Sequence, residues 1–205
     1  VLVFNGDILS GHDIAGQVQR WRDDAADVSL YLTRVDDPRA YGLVPTDERG
    51  RVTQFLEKPK TAEEIVTDQI NAGCYVFRRS LVDAIPAGRP VSVERETFPG
   101  LLASGAVVTG FVDDGYWLDL GRPLDFVQGS RDLVTGVAPS PALAGPVGEV
   151  MVMPGAEVAS SAVLSGGTFV GAGATVGPGA VVEGSALFDG AMVAAGAHVS
   201  HSAIG

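Results

Sequence analysis

Two hydrophobic rhythms divide this chain. From Val152 onward the aliphatic residues fall into a column, Val152, Val158, Leu164, Val170, Val176 and Val182, each six positions apart. After one five-residue step the column resumes at Leu187, Val193 and Val199, and a second such step reaches Ile204. Between these positions Gly and Ala dominate, as in Val170-Gly-Ala-Gly-Ala-Thr and Val176-Gly-Pro-Gly-Ala-Val. A sixfold period with small residues at the corners predicts a solenoid of short parallel strands, each coil stacked on the one before. A β-sandwich would need turn signals every eight to twelve residues, and it leaves the column unexplained.

The front of the chain has no such period. Val1-Leu-Val-Phe4 is a continuous apolar run, which predicts a buried parallel strand delivering Asn5-Gly6-Asp7 at its carboxyl end. The plainer alternative is a strand closed by an Asn-Gly turn, with Asp7 in solvent. Ile14, Val18, Trp21 and Ala25 share one helical face, with Asp13 placed to cap the helix and Trp21 read as core. Val28–Val35 alternates and is β-branched, so strand, helix and strand make a βαβ unit. Tyr41–Val44 and Arg51–Leu56 flank the turn Asp47-Glu48-Arg49-Gly50 as a hairpin, with Gly50 able to take positive φ. Further strands are expected at Ile70–Phe77 and Ala106–Val112, and a short helix capped by Ser80 runs through Ile85. A second helix opens at Ser92, restarts or kinks at Pro99 and stops at Gly105. The last helix spans about Pro123 to Val134, with Leu124, Val127 and Leu133 as its buried stripe. Residues 137–150 read as a linker by their Pro, Ala and Gly content.

Composition narrows the picture. Hydrophobic residues at 46% and charged residues at 19% describe a globular chain of 205 residues. A net charge of −11 argues against nucleic acid or an anionic membrane as partner. No apolar run reaches the roughly 18–20 residues of a membrane span. A single cysteine, Cys74, excludes an internal disulfide framework and fits a reducing cytoplasm. The chain opens on Val in mid-strand, which suggests a fragment cut at its front.

Candidate chemistry gathers at strand ends. Mg²⁺ takes one or two carboxylates and fills its shell with water and phosphate oxygens, a role open to Asp7 and Asp119. Lys58 can neutralise a sugar phosphate as a point charge, while Glu57 and Asn71 offer acceptors and donors for hydroxyl groups. Each has a plainer reading: Glu57 and Lys58 a solvated strand end, Asn71 a turn residue, Asp119 a helix cap. His198 and His201 lie in the repeat without a nearby acid or cysteine, and solvent is the better reading than a metal.

Taken together, Asn5-Gly6-Asp7, Tyr41-Gly42, Glu57-Lys58-Pro59, Asn71-Ala72-Gly73 and Trp117-Leu-Asp119-Leu-Gly121 follow the order of motifs in sugar-1-phosphate nucleotidyltransferases. The chain resembles that family over essentially its whole length. Ile70–Phe77, Ser92–Pro99 and Gly115–Phe126 are most similar to the branch that joins GMP to mannose-1-phosphate. The resemblance implies an α/β fold: part of a Rossmann-like nucleotidyltransferase domain over 1–136, then a left-handed parallel β-helix of hexapeptide repeats over 151–205. It implies catalytic roles for Asp7, Asp119 and Lys58, with Asp7 and Asp119 holding Mg²⁺ and Gly42, Glu57 and Asn71 lining the sugar site. The implied substrates are a nucleoside triphosphate, GTP in this branch, and a sugar-1-phosphate. The implied setting is the cytoplasm, as a homo-oligomer assembled through the β-helix. The family's Gly-rich loop with its Arg and Pro-Lys-Pro stretch has no match here; we expect it upstream of Val1, and expect these 205 residues alone not to turn over. Three rivals stay open: a non-catalytic paralogue that senses sugar nucleotide, another sugar-1-phosphate nucleotidyltransferase (for glucose, or using UTP, dTTP or ATP), and an acyltransferase with His198 as base, which leaves the upstream motifs unexplained.

Overall fold

A computed structural model of the chain describes residues 1–59, 61–143 and 148–205. It separates into two compact units, residues 1–8 with 12–117 and residues 9–11 with 118–205. Part of the expected linker, residues 144–147, lies outside the described residues.

The first unit is built on a mixed sheet. Its long strands are β3 (Val28–Arg34) and β6 (Gln69–Phe77), paired antiparallel. The sheet also holds β1 (Leu2–Phe4), β4 (Gly42–Leu43), β5 (Leu56–Glu57) and β7 (Val108–Val112), in the order β5-β4-β6-β3-β7, with β1 also on β6. Strand β3 is buried from Val28 to Thr33, the continuous burial of a strand covered on both faces. The core gathers Leu30, Leu32, Val44, Tyr75, Phe77 and Phe98. The β4–β5 hairpin forms with Gly50 at φ +77°, as the turn signal requires.

Three expectations are corrected. Strand β1 is neither parallel to its neighbour nor deeply buried: it runs antiparallel to β6, with Leu2 45% and Phe4 53% exposed and only Val3 turned to the core. It reads as a buried run only because its outward residues are apolar too. Strand β6 stands between β1 and β3, so the βαβ strands are not neighbours. On helix α1 (Ile14–Asp23), capped by Asp13 as expected, Ile14 is exposed and the buried residue is Gln17. Gln17 tolerates burial because its amide is satisfied: Nε2 donates to Ser29 O (3.3 Å), and Oε1 faces His12 Nε2 (3.1 Å) and Cys74 Sγ (3.5 Å).

Helix α2 (Arg79–Asp83) starts one residue ahead of Ser80 and has no side-chain cap. Ser92 does cap, its Oγ accepting from Arg95 N (3.2 Å). The π-helical turn Val93–Thr97 that follows gives way to helix α3 (Phe98–Ala103), whose first turn holds Pro99, and Gly105 ends the segment at φ +79°.

The second unit carries the solenoid. Its sheets are β9 (Val150–Val152), β12 (Thr168–Val170), β15 (Ala186–Leu187) and β18 (Ala203–Ile204); β10 (Glu157–Val158), β13 (Thr175–Val176) and β16 (Met192–Val193); and β11 (Val163–Ser165), β14 (Val181–Glu183) and β17 (His198–Ser200). All pairings within them are parallel. The register aligns Val152, Val170, Leu187 and Ile204 on one face, Val158, Val176 and Val193 on the second, and Leu164, Val182 and Val199 on the third. The ten aliphatic positions of the column are thus three stacks, the arrangement of a left-handed β-helix.

Helix α4 (Pro123–Thr135) packs on the solenoid through Arg131, whose Nε donates to Gly166 O (3.0 Å), and through Phe126 against Phe188. The short pair β2 (Ile8–Ser10) and β8 (Trp117–Asp119) contributes Leu9 and Leu118 against Gly129 of this helix. The buried stripe is Val127, Gly129 and Val134, not the expected set: Leu124 is 72% exposed. Close approach at Gly129 turns the helix that way, since a Cβ there would meet Leu120 Cδ2 at 2.8 Å.

Candidate functional site

Four of the six expected site residues converge in the first unit. Gly42 and Glu57 are cross-strand partners on β4 and β5. A Cβ at Gly42 would lie 3.0 Å from Glu57 Oε2 and 3.1 Å from the Phe55 ring, so glycine makes the room in which the Glu57 side chain lies. Lys58 follows at φ +50°, a left-handed conformation that costs a non-glycine residue roughly 1–2 kcal/mol. Its backbone N–H donates to Tyr41 O (3.2 Å). Tyr41 meets Trp117 edge-on at 5.5 Å, and Trp117 Nε1 donates to Ala72 O (3.0 Å), one residue beyond Asn71.

Asn71 sits where β6 departs from regular pairing with β3, between Leu30 and Leu32. Gly73 there takes φ +83°, with Asn5 packed against it: Asn5 N donates to Gly73 O (2.8 Å). A side chain at Gly73 would strike Asn5 and Ile8 at 3.0 Å. Buried Asn71 uses its Nδ2 twice, donating to Tyr75 Oη (2.9 Å) and to Glu94 Oε1 (2.6 Å), while its Oδ1 accepts from Gly73 N (3.3 Å). Burial pushes the Tyr75 phenol up to about 12, with Asn71 and Asn5 as its hydrogen-bonding neighbours. Burial also raises the Glu57 carboxyl, and the nearby Glu94 charge adds to the rise, against the opposing pull of Lys58 and Arg95.

The two expected metal ligands fall in different units. Asp7 is exposed in the turn before β2, with no ion pair among the described residues. Asp119 is half-buried at the end of β8, and its Oδ1 accepts from Gly121 N (2.8 Å). Both supply the hard carboxylate oxygens that Mg²⁺ prefers. Among the described residues no group of three or more His, Cys, Asp or Glu side chains could hold a metal ion. His198 and His201 are exposed. No described helix is long and apolar enough to cross a membrane.

Sequence reasoning missed Glu94 and Tyr75 as members of this cluster. Glu94 reads from the sequence as an acid favoured in the first turn of a capped helix, a role that hides its bond to Asn71. The signal that could have found it is the pairing in the same turn. Glu96 is held by Arg89 (3.0 Å) and Ser92 N (3.2 Å), whereas Glu94 has no basic partner among the described residues.

Comparison with known proteins shows the family to which the chain belongs. The family model described as Nucleotidyl transferase matches residues 1–136. The chain belongs to that family, in its sugar-1-phosphate branch. It is 59% identical over 171 residues to a mannose-1-phosphate guanylyltransferase of Mycobacterium tuberculosis, covering 83% of this chain and 47% of the relative. It is 36% identical over 156 residues to mannose-1-phosphate guanylyltransferase 1 of Arabidopsis thaliana, covering 73% of this chain and 42% of that one. The chain thus spans about half the length of these curated relatives. Among solved structures, HddC from Yersinia pseudotuberculosis complexed with GMP-PN matches at a TM-score of 0.51 and 26% identity, covering 62% of this chain and 52% of that one.

Proposed function

We propose that the protein transfers GMP from GTP to mannose-1-phosphate and releases pyrophosphate. A phosphate oxygen of the sugar-1-phosphate attacks the α-phosphorus of the nucleotide; the new P–O bond forms as the bond to the β-phosphate breaks. Such transfer needs little covalent chemistry from the protein, which acts by positioning its substrates and neutralising their charge. In this reading Lys58 contacts the sugar phosphate, and Glu57, Asn71 and Gly42 line the sugar site. Asp7 and Asp119 each offer a carboxylate to Mg²⁺, which when bound would neutralise phosphate charge. Residues 1–136 form the sugar-phosphate and metal half of the transferase domain, 137–150 a linker, and 151–205 a β-helix through which copies assemble, in the cytoplasm.

The observation that carries this reading is the convergence of Gly42, Glu57, Lys58 and Asn71 on one end of the first unit's sheet. Pyrophosphorolysis by the intact protein across GDP-, ADP-, UDP- and dTDP-sugars tests it. Release of GTP from GDP-mannose is the expected result. Turnover confined to another nucleotide replaces the substrate assignment, and binding of GDP-mannose without turnover favours a sensing role.

A further inference from the structure

Asn71 is the residue expected to read a sugar hydroxyl, yet both of its amide hydrogens are already engaged. One points to Tyr75 Oη (2.9 Å) and the other to Glu94 Oε1 (2.6 Å), and its Oδ1 accepts from Gly73 N (3.3 Å). A primary amide has two N–H donors. Asn71 therefore has no donor for a ligand unless it releases Glu94 or Tyr75. Glu94 is held on one oxygen only, is half-buried, and has no basic partner among the described residues, although Arg89 lies in the same segment and pairs with Glu96. Glu57, near enough to feel the Glu94 charge, lies in the space left by Gly42 and likewise has no ion pair among the described residues.

We infer that Glu94 is a second sugar-reading carboxylate, which together with Glu57 accepts hydrogen bonds from neighbouring hydroxyls of the hexose, and that Asn71 is a positioning residue that aims Glu94. This rests on the sugar-1-phosphate reading given above. Hydroxyl groups donate well to ionised carboxylates, and such charge-assisted bonds are the strong ones. Two like charges brought close without a fully engaged cation repel one another. At Glu57 the neighbouring Glu94 charge adds to burial in raising the carboxyl's proton affinity. Incoming hydroxyl donors relieve that repulsion. A ligand lacking one of those hydroxyls leaves a half-buried carboxylate unsolvated and is rejected, a discrimination that polar sites achieve and apolar pockets do not.

The test uses the intact protein with its sugar-1-phosphate and the monodeoxy analogues of that sugar. Wild type is expected to disfavour the analogue lacking the Glu94-facing hydroxyl by roughly 10- to 100-fold in kcat/KM. Glu94→Gln keeps a carbonyl acceptor for Asn71, so its Tm is expected to stay near wild type. KM for the parent sugar should rise, kcat should change little, and the penalty on that one analogue should shrink by about tenfold. Asn71→Ala should erode the penalty at the same hydroxyl, and the double variant should fall short of the sum of the two. An unchanged deoxy profile in Glu94→Gln overturns the inference, as does additivity at a different hydroxyl for Asn71→Ala. Absence of turnover with every sugar-1-phosphate in wild type overturns the underlying reading instead, and the wild-type arm reports that separately.

Discussion

A residue in the solenoid finds its neighbours by counting, whereas a residue in the sheet unit finds them by topology. Val170 is in register with Val152 and Leu187, and Val182 with Leu164 and Val199. Each partner is one coil away, so the period in sequence is the contact map. Asn71, by contrast, is tied to Glu94, Tyr75 and Gly73, and its neighbours Gly73 and Tyr75 are in turn met by Asn5. No period links those positions. Repetition makes the structure readable, while non-repeating convergence makes the chemistry, and the two tasks fall to different stretches of this chain.

The difference should show first in how each region answers a core deletion. Phe98 is fully buried, with ring neighbours Phe55 (5.3 Å), Tyr75 (5.2 Å) and Phe77 (5.9 Å) drawn from distant parts of the chain. Phe98→Ala is expected to cost about 3–5 kcal/mol, since a cavity that large among rings from separate elements cannot collapse. Leu187 is equally buried, but its surroundings are aliphatic and one coil deep on either side. Leu187→Ala should cost about 3 kcal/mol. Denaturant midpoints at unchanged slope compare the two. A larger loss at Leu187 would break the contrast.

Legibility follows the same division. The column from Val152 to Ile204 was readable because every coil repeats the same demand, an aliphatic side chain pointing inward. Even the two five-residue steps have a local reason. At the first, buried Ser185 donates from Oγ to Glu183 O (2.8 Å) and accepts from Ser202 N (3.1 Å), holding a shortened corner. In the sheet unit the elements were readable and their neighbours were not. Strand β1 looked buried because apolar Leu2 and Phe4 gave no sign that they face outward. Gln17 looked like surface because its satisfaction depends on His12, Ser29 and Cys74. Gly42, Glu57, Lys58 and Asn71 stood out as strand-end residues, while Glu94 was masked by an ordinary role at a helix start.

Within the solenoid, two glycines two residues apart separate space from backbone conformation. A Cβ at Gly177 would meet Ala195 N at 2.6 Å and Ala194 C at 2.9 Å, which is backbone of the next coil. Gly177→Ala must push coils apart and should cost about 1–3 kcal/mol. Gly179 has nothing within 4 Å but takes φ +69°. Gly179→Ala should cost about 1–2 kcal/mol from conformation alone, and Gly179→Asn clearly less, because Asn tolerates that region. Thermal melts of the three variants decide it. If Asn and Ala are equally costly at Gly179, conformation is not what selects glycine there.

The smallest expected effect lies at the candidate site, where stability and function pull apart. The Glu57 carboxyl is raised above the ordinary glutamate range by burial and by Glu94, so the folded chain binds that proton more tightly than the unfolded chain does. Its contribution to stability is therefore fullest at acid pH, below the unfolded value, and declines as pH rises through the window between the unfolded and folded pKa. Glu57→Gln removes that dependence. At pH 4 the variant and wild type should melt together; at pH 7 the variant should be the more stable, by less than about 1 kcal/mol because solvent screens the partly exposed group. The same substitution should weaken sugar-1-phosphate use in the intact protein, since an amide accepts a hydroxyl proton less strongly than a carboxylate. A variant less stable than wild type at pH 7 would mean that the Glu57 charge serves the fold, and the separation of labour between the two regions would not extend to this residue.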